Sequence, residues 1–313
     1  MTWIALASYR LEGRTAPAVV HDRRLYDLAD LARSGIPAPD PRWLERGVSA
    51  MIADWDRCAG WLRDATPRIT DAIARGAVQV LPDDRARLAA PLVPERIFCA
   101  ASNYVEHANE MGTVLAAKTD SKPYMFLKLR NTVIGTGDTI RMPPETAQLD
   151  WEIELAAVIG KRCRRIGVEA ALDAVAGYTI CNDISARDLN VRSDYPFKFD
   201  WFQGKCHDTF APLGPWIVPA WQVPDPQAVH LHLEVNGKSM QDDTTANMIW
   251  TVREQIAYLS TIVTLEPGDV VATGTPTGVG MGRGVFLKDG DRIEATIDGI
   301  GTLANQVKAD VIR

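Results

Sequence analysis

The stretch LDWEIELAAVIGK, residues 149–161, carries a carboxylate at every second position, Asp150, Glu152 and Glu154, and then runs on as unbroken apolar sequence. Strand side chains alternate between faces, so in a strand these three point the same way. Like charges along one face repel, and a buried carboxylate is costly unless something compensates it. The continuation LAAVIG reads as a strand buried on both faces. The fold must therefore either leave one end of this strand in water or place something opposite its carboxylates.

Composition narrows the class of protein. The 313 residues suffice for one large domain or two smaller ones. A net charge of −6 with both signs interspersed argues against a nucleic-acid partner and an anionic membrane surface. No stretch approaches the roughly 18 apolar residues of a membrane span. The opening MTWIALASYRLEGR has no basic lead with an apolar run behind it, as a secretory signal would. The five cysteines form no CxxC pair and are odd in number, as expected of reduced thiols in a cytoplasmic protein.

The texture changes along the chain. Residues 1–87 read as a small α+β domain, with strands in TWIALASYR and APAVVHDRRLYDLADL, a turn at Glu12–Gly13, and helical spacing through 49–76 that stops at Gly76. The charged, proline-bounded stretch 81–94 reads as a connector. Residues 88–313 form the second domain, in which short strands separated by turn signals dominate. The helical patterns there are VEAALDAVAGY and MIWTVREQIAYLSTIV. Many strands with few helices predict a mixed β-sandwich or barrel-like α+β fold rather than a parallel βαβ sheet.

Several stretches hold candidate chemistry. Asp183, in YTICNDISARDLN, follows an apolar strand about thirty residues after the acidic one. Carboxylates converging from neighbouring strands form the ligand set of a hard divalent cation; the alternative is a strand whose carboxylates sit in water. In NYVEHANE, His107 and Glu110 are three residues apart and share a face on a helical turn. Such a pair can activate water, although an exposed His-x-x-Glu is also an ordinary surface pair. Lys128 ends an apolar strand and Lys205 follows Gly204 in a turn; a buried lysine pairs with carboxylates or binds anions.

The glycine-rich VVATGTPTGVGMGRG is followed by a strand–turn–strand pattern rather than the long helix a nucleotide cradle requires. Its expected use is to bring backbone N–H groups and Thr275 near a small ligand. His230, His232 and Glu234 share a strand face, but the alternating apolar residues read as a half-buried strand rather than a zinc site. There is no Gly-x-Ser-x-Gly elbow, so any hydrolysis would use activated water.

Six segments in order, SNYVEHANE, FLK, LDWEIELAAVIGK, AGYTICNDISARDL, GKCHDTFAPLGPW and ATGTPTGVG, resemble the fumarylacetoacetate hydrolase family over about two-thirds of the chain. The resemblance implies a mixed β-sandwich roll, Mg²⁺ or Mn²⁺, and a homodimer acting on a small oxo-acid. It implies Glu152, Glu154 and Asp183 as metal ligands, His107 and Glu110 as the water-activating pair, and Lys205 as the oxyanion-stabilising lysine. Arg187 and Thr275 match substrate-contacting positions, and Lys128 matches a lysine at the site rim. Asn190 stands where the family often has Gln, which would widen the pocket or remove a substrate hydrogen bond. Ala100 stands where larger members carry a further aspartate, so the site resembles the smaller three-carboxylate type. Asp150 is not a ligand in that pattern and is expected at the mouth of the strand.

The implied reaction is hydrolysis of a β-diketo acid. Isomerisation or decarboxylation of a related diacid in aromatic catabolism is the alternative, and a structural cation site is the non-enzymatic one.

Overall fold

The computed structural model of the chain describes residues 2–11, 13–81 and 87–310, with Arg87 described in its backbone alone. The expected turn at Glu12–Gly13 and the expected connector 81–94 fall partly on Glu12 and on 82–86, outside the described residues.

Two sheets share one core. Along the larger sheet the strands lie in the order Arg24–Asp27, Arg14–His21, Ile4–Leu11, Ala211–Pro219, Val175–Asn182, Ile153–Ile159, Val270–Ala272, Ile97–Ala101 and Tyr124–Lys128. The N-terminal strands thus continue the same sheet, through the pairing of Leu6 with Ile217. The smaller sheet runs Lys238–Thr244, His230–Val235, Arg292–Ile297, Gly301–Ala309 and Thr139–Met142. Both are mixed, with parallel pairing between Val270–Ala272 and Ile97–Ala101 and between Gly301–Ala309 and Thr139–Met142. The architecture is the expected mixed sandwich.

The strand Ile153–Ile159 lies deep in the larger sheet and is buried throughout. Its odd-numbered residues, Ile153, Leu155, Ala157 and Ile159, face the core shared with Leu231, Leu233, Ile293 and Ala295 of the smaller sheet. Ala156 and Val158 face the opposite way, into a second core closed by the helix Trp55–Ala74 through Trp55, Leu62 and Ile69. Glu154 and Glu152 continue this second face past the end of the apolar packing. Dry packing on both sides is why the apolar run is unbroken.

Three local expectations need correction. The helical spacing of 168–178 yields only a 3-10 stretch, Val168–Ala174, and Val175–Asn182 is a central strand. Tertiary pairing decides this: a Cβ at Gly177 would lie 2.3 Å from the carbonyl oxygen of Val218, so this backbone is pressed against the Ala211–Pro219 strand. The third N-terminal strand is shorter than expected, because Asp27 caps the helix Leu28–Arg33 by accepting from the N–H groups of Ala29 and Asp30. A short helix, Gly280–Arg283, follows the glycine loop before the next strand. The helix expected from MIWTVREQIAYLSTIV is present as Val252–Ile262, opened by a capping box between Thr251 and Glu254.

Candidate metal and catalytic site

The Asn182–Asp183 dipeptide sets the site by gripping the backbone of Glu152 from both sides. Asn182 Oδ1 accepts from Glu152 N–H at 2.9 Å, and Asp183 N–H donates to the Glu152 carbonyl at 2.8 Å. In register, Ile153 faces Asn182 and Glu154 faces Cys181. One oxygen of each of Glu152, Glu154 and Asp183 lies within 4.8 Å of the other two, and all three residues are buried. Among the described residues no other group of three metal-ligating side chains meets this condition. His230 and His232 pair with Asp242 and Glu234 on the surface of the smaller sheet.

What lies opposite the carboxylates is a set of buried cations. Lys205 Nζ donates to Glu152 Oε2 and Asp183 Oδ2, both at 2.7 Å. Arg187 gives Nη2 to Glu152 Oε1 at 2.5 Å and Nε to Asp150 Oδ2 at 2.8 Å. Lys128 donates to Asp183 and to the carbonyl of Ile184. Lys128 therefore does not sit on a rim: its side chain is fully buried behind Asp183. Burial pushes the Glu152 carboxyl up, but Arg187 and Lys205 outweigh it and hold the group far below the ordinary carboxylate range. Burial lowers Lys205, but Asp183 and Glu152 outweigh it and raise the ammonium well above its usual value.

Glu154 differs from its neighbours. Its hydrogen-bond donor is the N–H of Gly274 at 2.9 Å, and among the described residues no cationic side chain forms an ion pair with it. Burial, Asp183 and Glu152 all push its carboxyl well above the ordinary range. An undercompensated buried carboxylate beside two others fits a hard divalent cation, which supplies the missing charge.

His107 and Glu110, expected as a water-activating pair, stand on the short helix Val105–Glu110. His107 Nδ1 lies 3.6 Å from Glu110 Oε2, beyond hydrogen-bond distance, and is buried with no hydrogen-bond partner among the described residues. Gly278 N–H donates to both Glu110 oxygens, at 3.1 and 3.0 Å. Burial raises the Glu110 carboxyl, but His107, Gly278 and Thr277 together hold it below its usual range. The glycine loop is close-packed here: a Cβ at Gly282 would fall 2.1 Å from Glu110 Cγ, and one at Gly278 2.1 Å from the Met240 carbonyl oxygen.

The remaining expected residues have defined places. The Thr275 hydroxyl donates to the Ile153 carbonyl and accepts from Gln241, both at 2.8 Å. Asn190 packs on Gly204, beside Lys205, with its Oδ1 buried and without a hydrogen-bond partner among the described residues. Asp150 is fully buried, contrary to the expected strand mouth. Sequence reading missed Asn182, Gln241 and Asn103. Gln241 also accepts from Ile153 N–H at 3.0 Å, and Asn103 Nδ2 donates to the carbonyls of Trp250 and Thr273. Asn182 was legible as the neighbour of Asp183; Gln241 had no local signal.

The whole arrangement, a buried carboxylate triad ringed by cations with a His–Glu pair nearby, can bind a divalent cation and handle a proton. Residues 96–308 match the family described as fumarylacetoacetate (FAA) hydrolase, C-terminal. A mitochondrial oxaloacetate tautomerase of Homo sapiens is 36% identical over 247 residues, 78% of this chain and 76% of the relative. Among solved structures, a fumarylacetoacetate hydrolase of Exiguobacterium antarcticum superposes with a TM-score of 0.77 at 33% identity, over 98% of this chain and 100% of the other. A maleylpyruvate hydrolase of Sphingobium sp. SYK-6, solved with manganese(II) and pyruvate, gives 0.74 at 29% over the same shares. No helix among the described residues is long and apolar enough to cross a membrane.

Proposed function

The chain belongs to the fumarylacetoacetate hydrolase family, and from that premise we propose that it is a divalent-metal-dependent hydrolase. Its substrate would be a β-diketo acid of the acylpyruvate or fumarylpyruvate type, cleaved at a carbon–carbon bond. The observation that carries this reading is the adjacency of two different devices. A cation site built only for structure has no use for a buried His107 paired with a half-buried Glu110 that a glycine loop holds.

Glu152, Glu154 and Asp183 would hold Mg²⁺ or Mn²⁺, which would supply Lewis acidity at the oxo-acid end of the substrate. Glu110, kept ionised below the usual carboxylate range, takes a proton from water together with His107. The hydroxide adds to the distal carbonyl. An ammonium has three donors and, among the described residues, Lys205 spends two on Glu152 and Asp183, which leaves the third for the developing oxyanion. The carbon–carbon bond then breaks, giving a carboxylic acid and the enol form of pyruvate, which is reprotonated at carbon. Arg187, Asn190, Thr275 and Lys128 would shape the substrate end, Lys128 by fixing Asp183.

The oxaloacetate tautomerase relative supports a second reading, in which the same site moves a proton on carbon without cleavage. A panel of acylpyruvates, oxaloacetate and a dienedioate, assayed with Mg²⁺ or Mn²⁺ by loss of the enol absorbance and by product analysis, separates the two. Cleavage of an acylpyruvate is expected; tautomerisation alone would replace the hydrolase reading.

A homodimer is proposed with it. Tyr124 and Leu127, on the strand that ends the larger sheet, are exposed, and Trp201 packs against Tyr124 and Phe126. Phe197, Phe199 and Phe202, from the segment around Trp201, are exposed too. An apolar sheet edge of this kind is one that proteins usually cover. Light scattering should return twice the chain mass; a monomer would remove this proposal.

A further inference from the structure

Asp150 is the carboxylate of the opening stretch that the metal does not need, and its partners are unusual. Its Oδ1 accepts from the N–H groups of Gly280 at 2.6 Å and Trp151 at 2.8 Å. Its Oδ2 accepts from Met281 N–H at 3.0 Å and Arg187 Nε at 2.8 Å. Four donors converge on one fully buried carboxylate, so nearly all its hydrogen-bonding capacity is used.

The neighbouring residues hold the same loop. Trp151 Nε1 donates to the Gly278 carbonyl at 3.2 Å, and Leu287 N–H donates to the Leu149 carbonyl at 2.8 Å. The triplet Leu149–Trp151 thus grips residues 278–287 at three levels. On the far side of that grip, Gly278 N–H holds both oxygens of Glu110. On the near side, the pairing of Leu149–Asp150 with Ser185–Ala186 brings up Arg187, which reaches Glu152.

We propose that Asp150 is a positioning residue that ties the glycine loop to Arg187, and so sets Glu110 relative to the carboxylate triad. The assignment rests on Glu110 being the base. Asn is nearly the same size as Asp but presents an NH₂ group to donors that require an acceptor, so Asp150→Asn turns two of the four contacts into donor facing donor. The loop then loses its tether while Glu152, Glu154 and Asp183 keep their carboxylates.

The test combines three readouts on Asp150→Asn. Amide exchange across 278–287 should accelerate about tenfold or more, since a lost tether opens the segment locally. The kcat should fall roughly 10–100-fold with KM within about threefold, as a small displacement of a catalytic group does. Mg²⁺ affinity by calorimetry should stay within about threefold, against the roughly 100-fold loss expected of Glu154→Gln. Unchanged exchange across 278–287, or a loss of Mg²⁺ affinity as large as that of Glu154→Gln, overturns the assignment. If the unsubstituted protein turns over nothing on the substrate panel, the functional reading fails, and exchange with calorimetry still decides the tether. Should Asp150→Asn not fold, Met281→Pro removes one loop donor and leaves Asp150 in place; the Met281 side chain is 43% exposed, so its loss is mild. The same pattern is expected there at smaller size, and normal exchange and kcat would count against the proposal.

Discussion

Glu154→Gln should lower divalent-metal affinity by about 100-fold or more, because even partners outside the ligand shell cost roughly 10–100-fold. The metal-free protein should melt no lower than the unsubstituted one. Folding raises the Glu154 pKa, so its carboxylate is disfavoured in the native state and ionised freely in the unfolded chain. Such a group destabilises the metal-free fold as pH rises above the ordinary carboxylate range, and less so below it. An amide at this position removes that penalty and still offers an oxygen to the Gly274 N–H. Binding of metal to the native state alone stabilises by about 2.7 kcal/mol at 100 times Kd. Added Mg²⁺ or Mn²⁺ should therefore raise the melting temperature of the unsubstituted protein and leave that of Glu154→Gln unmoved. Glu152→Gln, two residues away, should behave differently. It strips the counter-charge from Arg187 and Lys205, and breaking a buried pair costs about 3–5 kcal/mol. Titration of Glu154→Gln with unreduced affinity would remove the carboxylate triad as the metal site.

Glu110→Gln should reduce kcat by about 10²–10⁴-fold, the range of a lost general base, with metal affinity unchanged in a parallel titration. The carboxamide keeps the size of the side chain and one acceptor for Gly278 N–H, so the loop stays in place. What it loses is the ability to take a proton. Because His107, Gly278 and Thr277 hold the Glu110 carboxyl below its usual range, the basic form persists through neutral pH in the unsubstituted protein. Activity should therefore fall only on acidification below the ordinary carboxylate range. Turnover by Glu110→Gln within a few-fold of normal would move the role of base elsewhere.

The acidic strand shows how far the chain alone could be read. The period of two put Glu152 and Glu154 on a common side, where they do meet although Glu152 lies just before the strand Ile153–Ile159, and the apolar run behind them marked a strand buried on both sides. The helix in MIWTVREQIAYLSTIV and the Gly76 stop were legible because they are set by residues three or four apart. The segment 168–178 was misread because its helical spacing competed with sheet pairing across more than thirty residues.

The compensation of the carboxylates was decided only in three dimensions. Lys128 reaches Asp183 from 55 residues away, Lys205 reaches Glu152 from 53, and Arg187 reaches Asp150 from 37. Each pairing depends on the register between distant strands, and a slip of one residue would turn the partner to the other face. The sequence by itself therefore determined which groups had to be compensated, since burial and charge are properties of the residues and their alternation. Tertiary structure alone decided that Glu152 and Asp183 meet protein cations while Glu154 meets only the Gly274 N–H among the described residues, and that Asp150 accepts from the glycine loop. Which charge meets which is a matter of distances across strands, and these exist only once the sheet has formed.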